Sequence, residues 1–379
     1  MTDLKQVATT ILDNFSGDQP VLNATLTAMA VITCLLFDDL PHCIGLNFTG
    51  PPSSAKTTVL DFFKGASMVH HSDNFTPRSF VSHSATATEK ELSSIDMLPR
   101  IQHKCLIIPE LAPTFSARSE DLIERVAILT RIFDGSGYTS ESGVHGLRGY
   151  SGDYRFAWLG ATTPLLQATW DVMGKLGSRF VFFHMTSPDS GPQDLANMLG
   201  ESLSYRAKIN QCQEAVVAYM EELWVHHGGY GAVRWDSSSD DPALLLQIGE
   251  MASNVAKWRG VIYTHSPYEI GSNPPQIEQP QRLAATLHYI AKGFALVYGR
   301  DVLTQQDIDM VRPIAYSSMP ESRRRIHAAL TSGVMLCTKE VEGLIGVSTP
   351  TALKVMKELE SLGAVRRGKK GQSHCIQMA

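Results

Sequence analysis

The sequence predicts an α/β fold: a parallel sheet of about five strands with helices on both faces, then a helical region, then a small helix-turn-helix unit with a basic hairpin. Three observations predict it. Short apolar runs alternate with amphipathic stretches from residue 43 to 185, the pattern of strands joined by crossover helices. From about residue 190 to 320 helical periodicity takes over. Beyond residue 323 come two short helical patterns separated by a tight turn, then two short strands around a basic turn.

Residues 2–37 read as two helices, the second strongly apolar, and residues 43–48 as a buried strand. A loop follows at once, and residues 57–65 carry apolar side chains at helical spacing up to Gly65. Residues 67–72 and 104–111 read as further strands, the latter ending on an acid; 119–135 is a helix with an acidic first turn. Strands are expected again at 154–164 and 179–185, with Trp158 and Phe180–Phe183 in the core. Long helices are expected over 203–227, 244–264 and 281–299, and one more starts at Thr304, with Asp307 three residues on. In the tail, a helix ends at Gly346, and a second begins at Ser348 or Thr349 with Pro350 in its first turn.

Composition bounds the function. The 379 residues suggest domains at 1–190, 191–322 and 323–379. A net charge of −5 excludes a chain-wide polycation, so nucleic-acid contact needs a local patch. Residues 323–379 supply one: ten Lys and Arg stand against four acids. The cysteines at 34, 43, 105, 212, 337 and 375 form no C-x-x-C, and are expected to be reduced thiols of an intracellular protein. The N-terminus reads as an amphipathic helix without signal-peptide character, and the apolar run 28–37 is too short for a bilayer. A soluble, cytoplasmic protein with no membrane partner is expected.

The chemistry starts at GPPSSAKTT, residues 50–58. The pattern G-x-x-x-x-G-K-[ST] cradles phosphates when it lies between a strand and a helix, as it does here. Gly50 allows the turn, and Pro51, Pro52, Ser53, Ser54, Ala55 and Thr58 complete the loop. Lys56 suits the β- and γ-phosphates, and the Thr57 hydroxyl suits magnesium. Ala55 replaces the last glycine, at a cost of about 1–2 kcal/mol if the backbone there is left-handed, and little otherwise. In CLIIPEL, residues 105–111, Glu110 stands where an acid would activate water, while Pro109 occupies the place of a metal-side carboxylate. Thr163, or Thr162 beside it, suits a γ-phosphate contact. Arg179 opens a buried strand, where an arginine finger is expected, with a surface ion pair as the alternative.

The order GPPSSAKTT, LIIPEL, GATTP, LGSRF and then Arg282 in QPQRLAATL resembles the ATPase core of the minichromosome-maintenance (MCM) helicases, a branch of the AAA+ ATPases. In that branch alanine typically precedes the loop lysine. The resemblance covers roughly residues 20–320, plus a C-terminal winged helix. It implies a P-loop three-layer sandwich with a helical lid and a winged helix-turn-helix. It further implies ATP and Mg2+ as cofactors, Glu110 as catalytic glutamate, Thr163 as sensor, Arg179 as trans-acting finger and Arg282 as second sensor. The implied assembly is a homo-oligomer, a hexamer or open arc, acting on DNA. Pro109 in place of aspartate and Thr163 in place of asparagine depart from the pattern and bear on hydrolysis rate. No counterpart of the large N-terminal DNA-binding region is expected, so the likeness is to smaller bacterial, phage or mobile-element members. The alternative is a slow or inactive ATP-gated assembly factor or regulator.

Two DNA contacts are expected. Residues 138–156 carry glycines at 143, 146, 149 and 152, with His145 and Arg148 near the tip, and fit either a pore hairpin or a surface loop. In the tail, Thr349, Thr351 and Lys354 are expected on a recognition helix and Arg366, Arg367, Lys369 and Lys370 on a wing, with protein contact or autoregulation as the rival role.

Overall fold

The computed structural model describes residues 3–15, 18–82, 89–116, 119–142, 146–186, 191–200, 203–262 and 274–379. The chain opens with α1 (Leu4–Asn14) and α2 (Gln19–Thr33), then β1 (Ile44–Thr49), α3 (Lys56–Asp61), β2 (Val69–His71), α4 (Glu89–Ile95), α5 (Met97–Ile101), β3 (Cys105–Ile108) and α6 (Ala112–Phe115). Next come α7 (Ser119–Ile132), β4 (Gly137–Ser142), β5 (Gly146–Ser151), β6 (Ala157–Thr162), α8 (Gln167–Leu176), β7 (Phe180–His184) and α9 (Pro192–Leu199). The remainder is α10 (Tyr205–His226), α11 (Pro242–Arg259), α12 (Gln281–Val297), α13 (Gln305–Ser317), α14 (Glu321–Leu330), β8 (Leu336–Cys337), α15 (Thr338–Ile345), α16 (Thr349–Ser361), β9 (Val365–Lys370) and β10 (Ser373–Met378).

Five strands form one parallel sheet in the order β2-β3-β6-β1-β7. Buried on both faces, β1, β3 and β6 read as near-continuous apolar runs. Leu46, Phe48, Leu159 and Val181 face a core with α2, α3 and α12. Trp158, Phe180 and Phe182 face another with α5, α7 and α8. The first core continues into α13 and on to Met356 and Ile376 of the tail. Helix α8 is an element absent from the sequence expectation; its buried Thr169, Trp170, Val172 and Met173 close the second face. At its far edge the sheet is covered: the Phe182 and His184 N–H groups donate to Ser318 Oγ (2.8 Å) and Ser317 Oγ (3.1 Å).

Strands β4 and β5 form a separate antiparallel hairpin. In the tail, β8-β10-β9 make a three-stranded sheet beside α15 and α16. One expectation is overturned here. Cys337 and Cys375 are opposite one another across β8 and β10 and are joined by a disulfide; they are not reduced thiols. Strand register brings together two residues 38 apart, which no local spacing could signal. Cys34, Cys43, Cys105 and Cys212 are free and buried. The stretch Gln19–Leu36 is apolar enough to cross a membrane but is 83% buried inside the fold.

Candidate nucleotide loop and arginine edge

Strand β1 delivers the chain to the loop at the carboxyl end of the sheet, where open α/β sheets place ligands. Gly50 is pressed against Met185: a Cβ there would lie 2.6 Å from the Met185 carbonyl oxygen. Ser53 and Ala55 both adopt left-handed backbone, at φ 65° and φ 58°. The alanine position therefore does carry the conformational cost that glycine would avoid. Lys56 opens α3 and is buried. Its Nζ donates to Gly50 O (3.0 Å), Pro51 O (2.6 Å) and Ser54 Oγ (3.1 Å), all neutral acceptors. Burial lowers the pKa of this ammonium, and nearby Glu110 partly opposes that. Pro51, Pro52, Ser53 and Thr57 are exposed, whereas Thr58 is buried with Oγ1 2.6 Å from Tyr205 Oη of α10.

The other carboxyl-end positions gather here because the strands are parallel. Glu110, two residues beyond β3, is exposed, and its Oε1 accepts from the Ala112 N–H (2.7 Å). Strand β6 lies between β1 and β3, so Thr162 and Thr163 end between the loop strand and the acid strand. Thr163 is half-buried; Thr162 is buried, and its hydroxyl has no hydrogen-bond partner among the described residues. His184, which the sequence did not single out, ends β7 with Nδ1 3.5 Å from Thr49 Oγ1. Its pKa is lowered by burial, then by Arg324, with Lys56 contributing. Glu321 binds Arg324 (2.8 Å) and Arg325 (2.9 Å) at the start of α14, within electrostatic reach of His184. No motif signals these residues, because strand pairing and α13–β7 packing bring them in from far along the chain.

Arg179 and Arg282 are not at this end. Arg179 precedes β7, which places it at the opposite, amino end of the sheet. Arg282 joins it there: Nη1 donates to Asp134 Oδ1 (3.1 Å) and Nη2 to the Phe133 carbonyl (2.9 Å). That carbonyl also accepts from the N–H of Cys43, just before β1. Arg179 Nε lies 3.5 Å from Asp134 Oδ1. A cavity of about 170 Å³ opens beside them, lined also by Arg259 and Glu278. His42, hydrogen-bonded to Thr286 Oγ1 (2.9 Å), is held neutral: burial, then Arg282 and Arg179, push its pKa down to about 4. Within one chain the loop set (Gly50–Thr58, Glu110, Thr162, Thr163) and the arginine pair lie at opposite ends of the sheet.

Of the hairpin candidates, His145 lies outside the described residues. Arg148 pairs with Ser140, is half-buried, and lines a cavity with Asp96 and Tyr150, whose hydroxyl donates to Asp96 (2.8 Å). Leu147 beside it is exposed. In the tail, Thr349, Thr351, Arg366, Lys369 and Lys370 are exposed. Lys354 and Arg367 are half-buried and face acids, Glu358 at 4.0 Å and Glu360 at 3.1 Å. Among the described residues no cluster of three His, Cys, Asp or Glu could hold a metal ion. No protein-family model matches this chain, and no curated protein shows significant similarity to it.

Proposed function

We propose that the chain is an ATP-binding, MCM-like AAA+ protein that assembles into an oligomer, a hexamer or open arc, and acts on DNA as a translocase, helicase or remodeller. Residues 1–190 are then the ATPase core, 191–322 the helical lid and 323–379 the winged-helix DNA-binding unit. The observation that carries this reading is the Lys56 ammonium: buried, and donating to three neutral oxygens but, among the described residues, to no carboxylate. A buried cation lacking a bonded counter-charge is a poor resting state, and a triphosphate supplies that charge.

On binding, Lys56 exchanges loop oxygens for phosphate oxygens. Magnesium, held on the protein side by Thr57, would supply charge neutralisation at the β- and γ-phosphates. Glu110 accepts the proton of the attacking water, its orientation fixed by the Ala112 N–H. The hydroxyl of Thr162 or Thr163 holds that water or the γ-phosphate. Arg179 and Arg282, a sheet's length away, serve the loop of a neighbouring protomer, which is why an oligomer belongs to the reading. Equilibrium binding of a fluorescent ATP analogue tests it. Lys56→Ala should weaken affinity by about tenfold or more, the worth of a charge-assisted bond, and no affinity in the unaltered chain would sink the reading.

The second reading, an ATP-gated assembly factor with slow or no turnover, is favoured by Pro109, which leaves β3 without a metal-side carboxylate. Turnover measured with and without single- and double-stranded DNA separates them. DNA-stimulated hydrolysis lost in Lys56→Ala supports the motor, and a flat background rate supports the switch.

A further inference from the structure

We infer that Asp134 is the positioning residue of the arginine edge: it seats Arg282 and restrains Arg179 by charge, so that Arg179 is released to the phosphate of a neighbouring protomer. This rests on the shared-site reading above and adds how that site is kept poised. Three guanidiniums converge on this one carboxylate. Arg131 reaches Oδ2 at 2.9 Å, while Arg282 (3.1 Å) and Arg179 (3.5 Å) share Oδ1. They are not held alike. Arg282 is fixed at two points, the carboxylate and the Phe133 carbonyl. Among the described residues the buried Arg179 Nε, near Asp134, has no hydrogen bond, and its Nη1 has only a long 3.5 Å contact to Gly177 O. One acid thus anchors one arginine and leaves the other tethered by attraction.

The mounting is buried and aromatic. Asp134 directly follows Phe133, whose ring packs on Phe156, Trp158 and Phe180 with centroids 5.2, 5.8 and 4.7 Å away. Phe180 in turn directly follows Arg179, so one aromatic stack sets the distance between acid and finger. Charge then favours exchange. Arg259 is already committed to Glu278 (3.1 Å) and the Phe180 carbonyl (3.0 Å). Arg131, Arg179 and Arg282 therefore outnumber the single Asp134 carboxylate, and the edge attracts a further anion. A phosphate offers a guanidinium several charged oxygens in bidentate geometry, which one shared carboxylate oxygen cannot match.

Asp134→Asn keeps the shape and the acceptor facing Arg282 but removes the charge. Turnover of ATP should fall by about tenfold or more, as misplacement of a positioned group does, while KM and ATP-analogue affinity stay unchanged; the melting temperature should drop, since three guanidiniums lose their shared counter-charge, and turnover is compared well below it. Asp134→Glu should recover part of the rate. Mixing chains adds a readout that a merely structural role would not give. Lys56→Ala protomers, with an intact arginine edge, should restore turnover to Asp134→Asn protomers, whereas Arg179→Ala protomers should not. Wild-type turnover in Asp134→Asn, with Arg179→Ala inactive, overturns the inference and leaves the shared site standing. If Lys56→Ala and Arg179→Ala protomers fail to complement each other, the shared-site reading itself falls, and the inference with it.

Discussion

Ala55 is a single residue whose backbone decides a question its identity leaves open. At φ 58° and ψ 13° it is left-handed, a conformation that costs a non-glycine residue about 1–2 kcal/mol. Ala55→Gly should therefore raise stability by about 0.5–1 kcal/mol after the looser unfolded chain is counted, read as a higher urea midpoint; a lower midpoint would mean the position is not left-handed. His42 gives a pH dependence. Its folded pKa of about 4 is below the ordinary histidine value. Between those two values the unfolded chain binds the extra proton, so stability is full near neutrality and falls as pH drops from about 6.5 to about 4. His327, buried and likewise held at about 4 by desolvation, adds to the same slope. Denaturant midpoints across that range should decline, and His42→Asn should flatten part of the decline.

Elements differ in how much of their cause is local. The start of α13 is local: Thr304 and Asp307 form the reciprocal cap that their spacing predicts. The fully buried Asp307 then gains Arg300 at 2.6 and 2.7 Å, a partner the cap pattern does not name. The crossing of α2 and α12 is not local at all. Gly293 lies so close to Ala30 that a Cβ would come within 2.2 Å of its carbonyl oxygen. Gly293→Ala should cost about 1–3 kcal/mol through overpacking, measured as a lower melting temperature with helical content kept. In the tail, the Cys337–Cys375 bridge closes a 38-residue separation. Cys375→Ser should lower tail stability by about 2–4 kcal/mol, visible as earlier amide exchange in β8–β10, and an unchanged exchange pattern would deny the bridge that role.

At the scale of the whole molecule the parallel sheet is the organising fact. It sends Gly50–Thr57, Glu110 and Thr162 to one end and Arg179 with Arg282 to the other. A chain built this way cannot bring its own arginines to its own loop while the sheet stays intact. Light scattering with a non-hydrolysable ATP analogue should accordingly show a larger particle than without nucleotide. Arg179→Ala should keep analogue binding and lose turnover by about 10³-fold or more if the arginine is a finger. A particle that stays a monomer with nucleotide bound would remove the physical reason for both arginines.

The sequence by itself determined the strands, most helices and the loop, because these follow from short-range periodicity and from residues adjacent in the chain. Apolar runs such as CLII and AWLGAT were legible as buried strands, and GPPSSAKTT as a turn between strand and helix. Tertiary structure decided what depends on distant partners. Strand order placed Thr162 between loop and acid, parallel direction put Arg179 at the opposite end, and cross-strand register joined Cys337 to Cys375. It also brought Asp134 to Arg282 across 148 residues and His184 to Thr49 across 135. Local spacing carries no information about such contacts, since they arise from the packing of whole elements and not from any pattern within one.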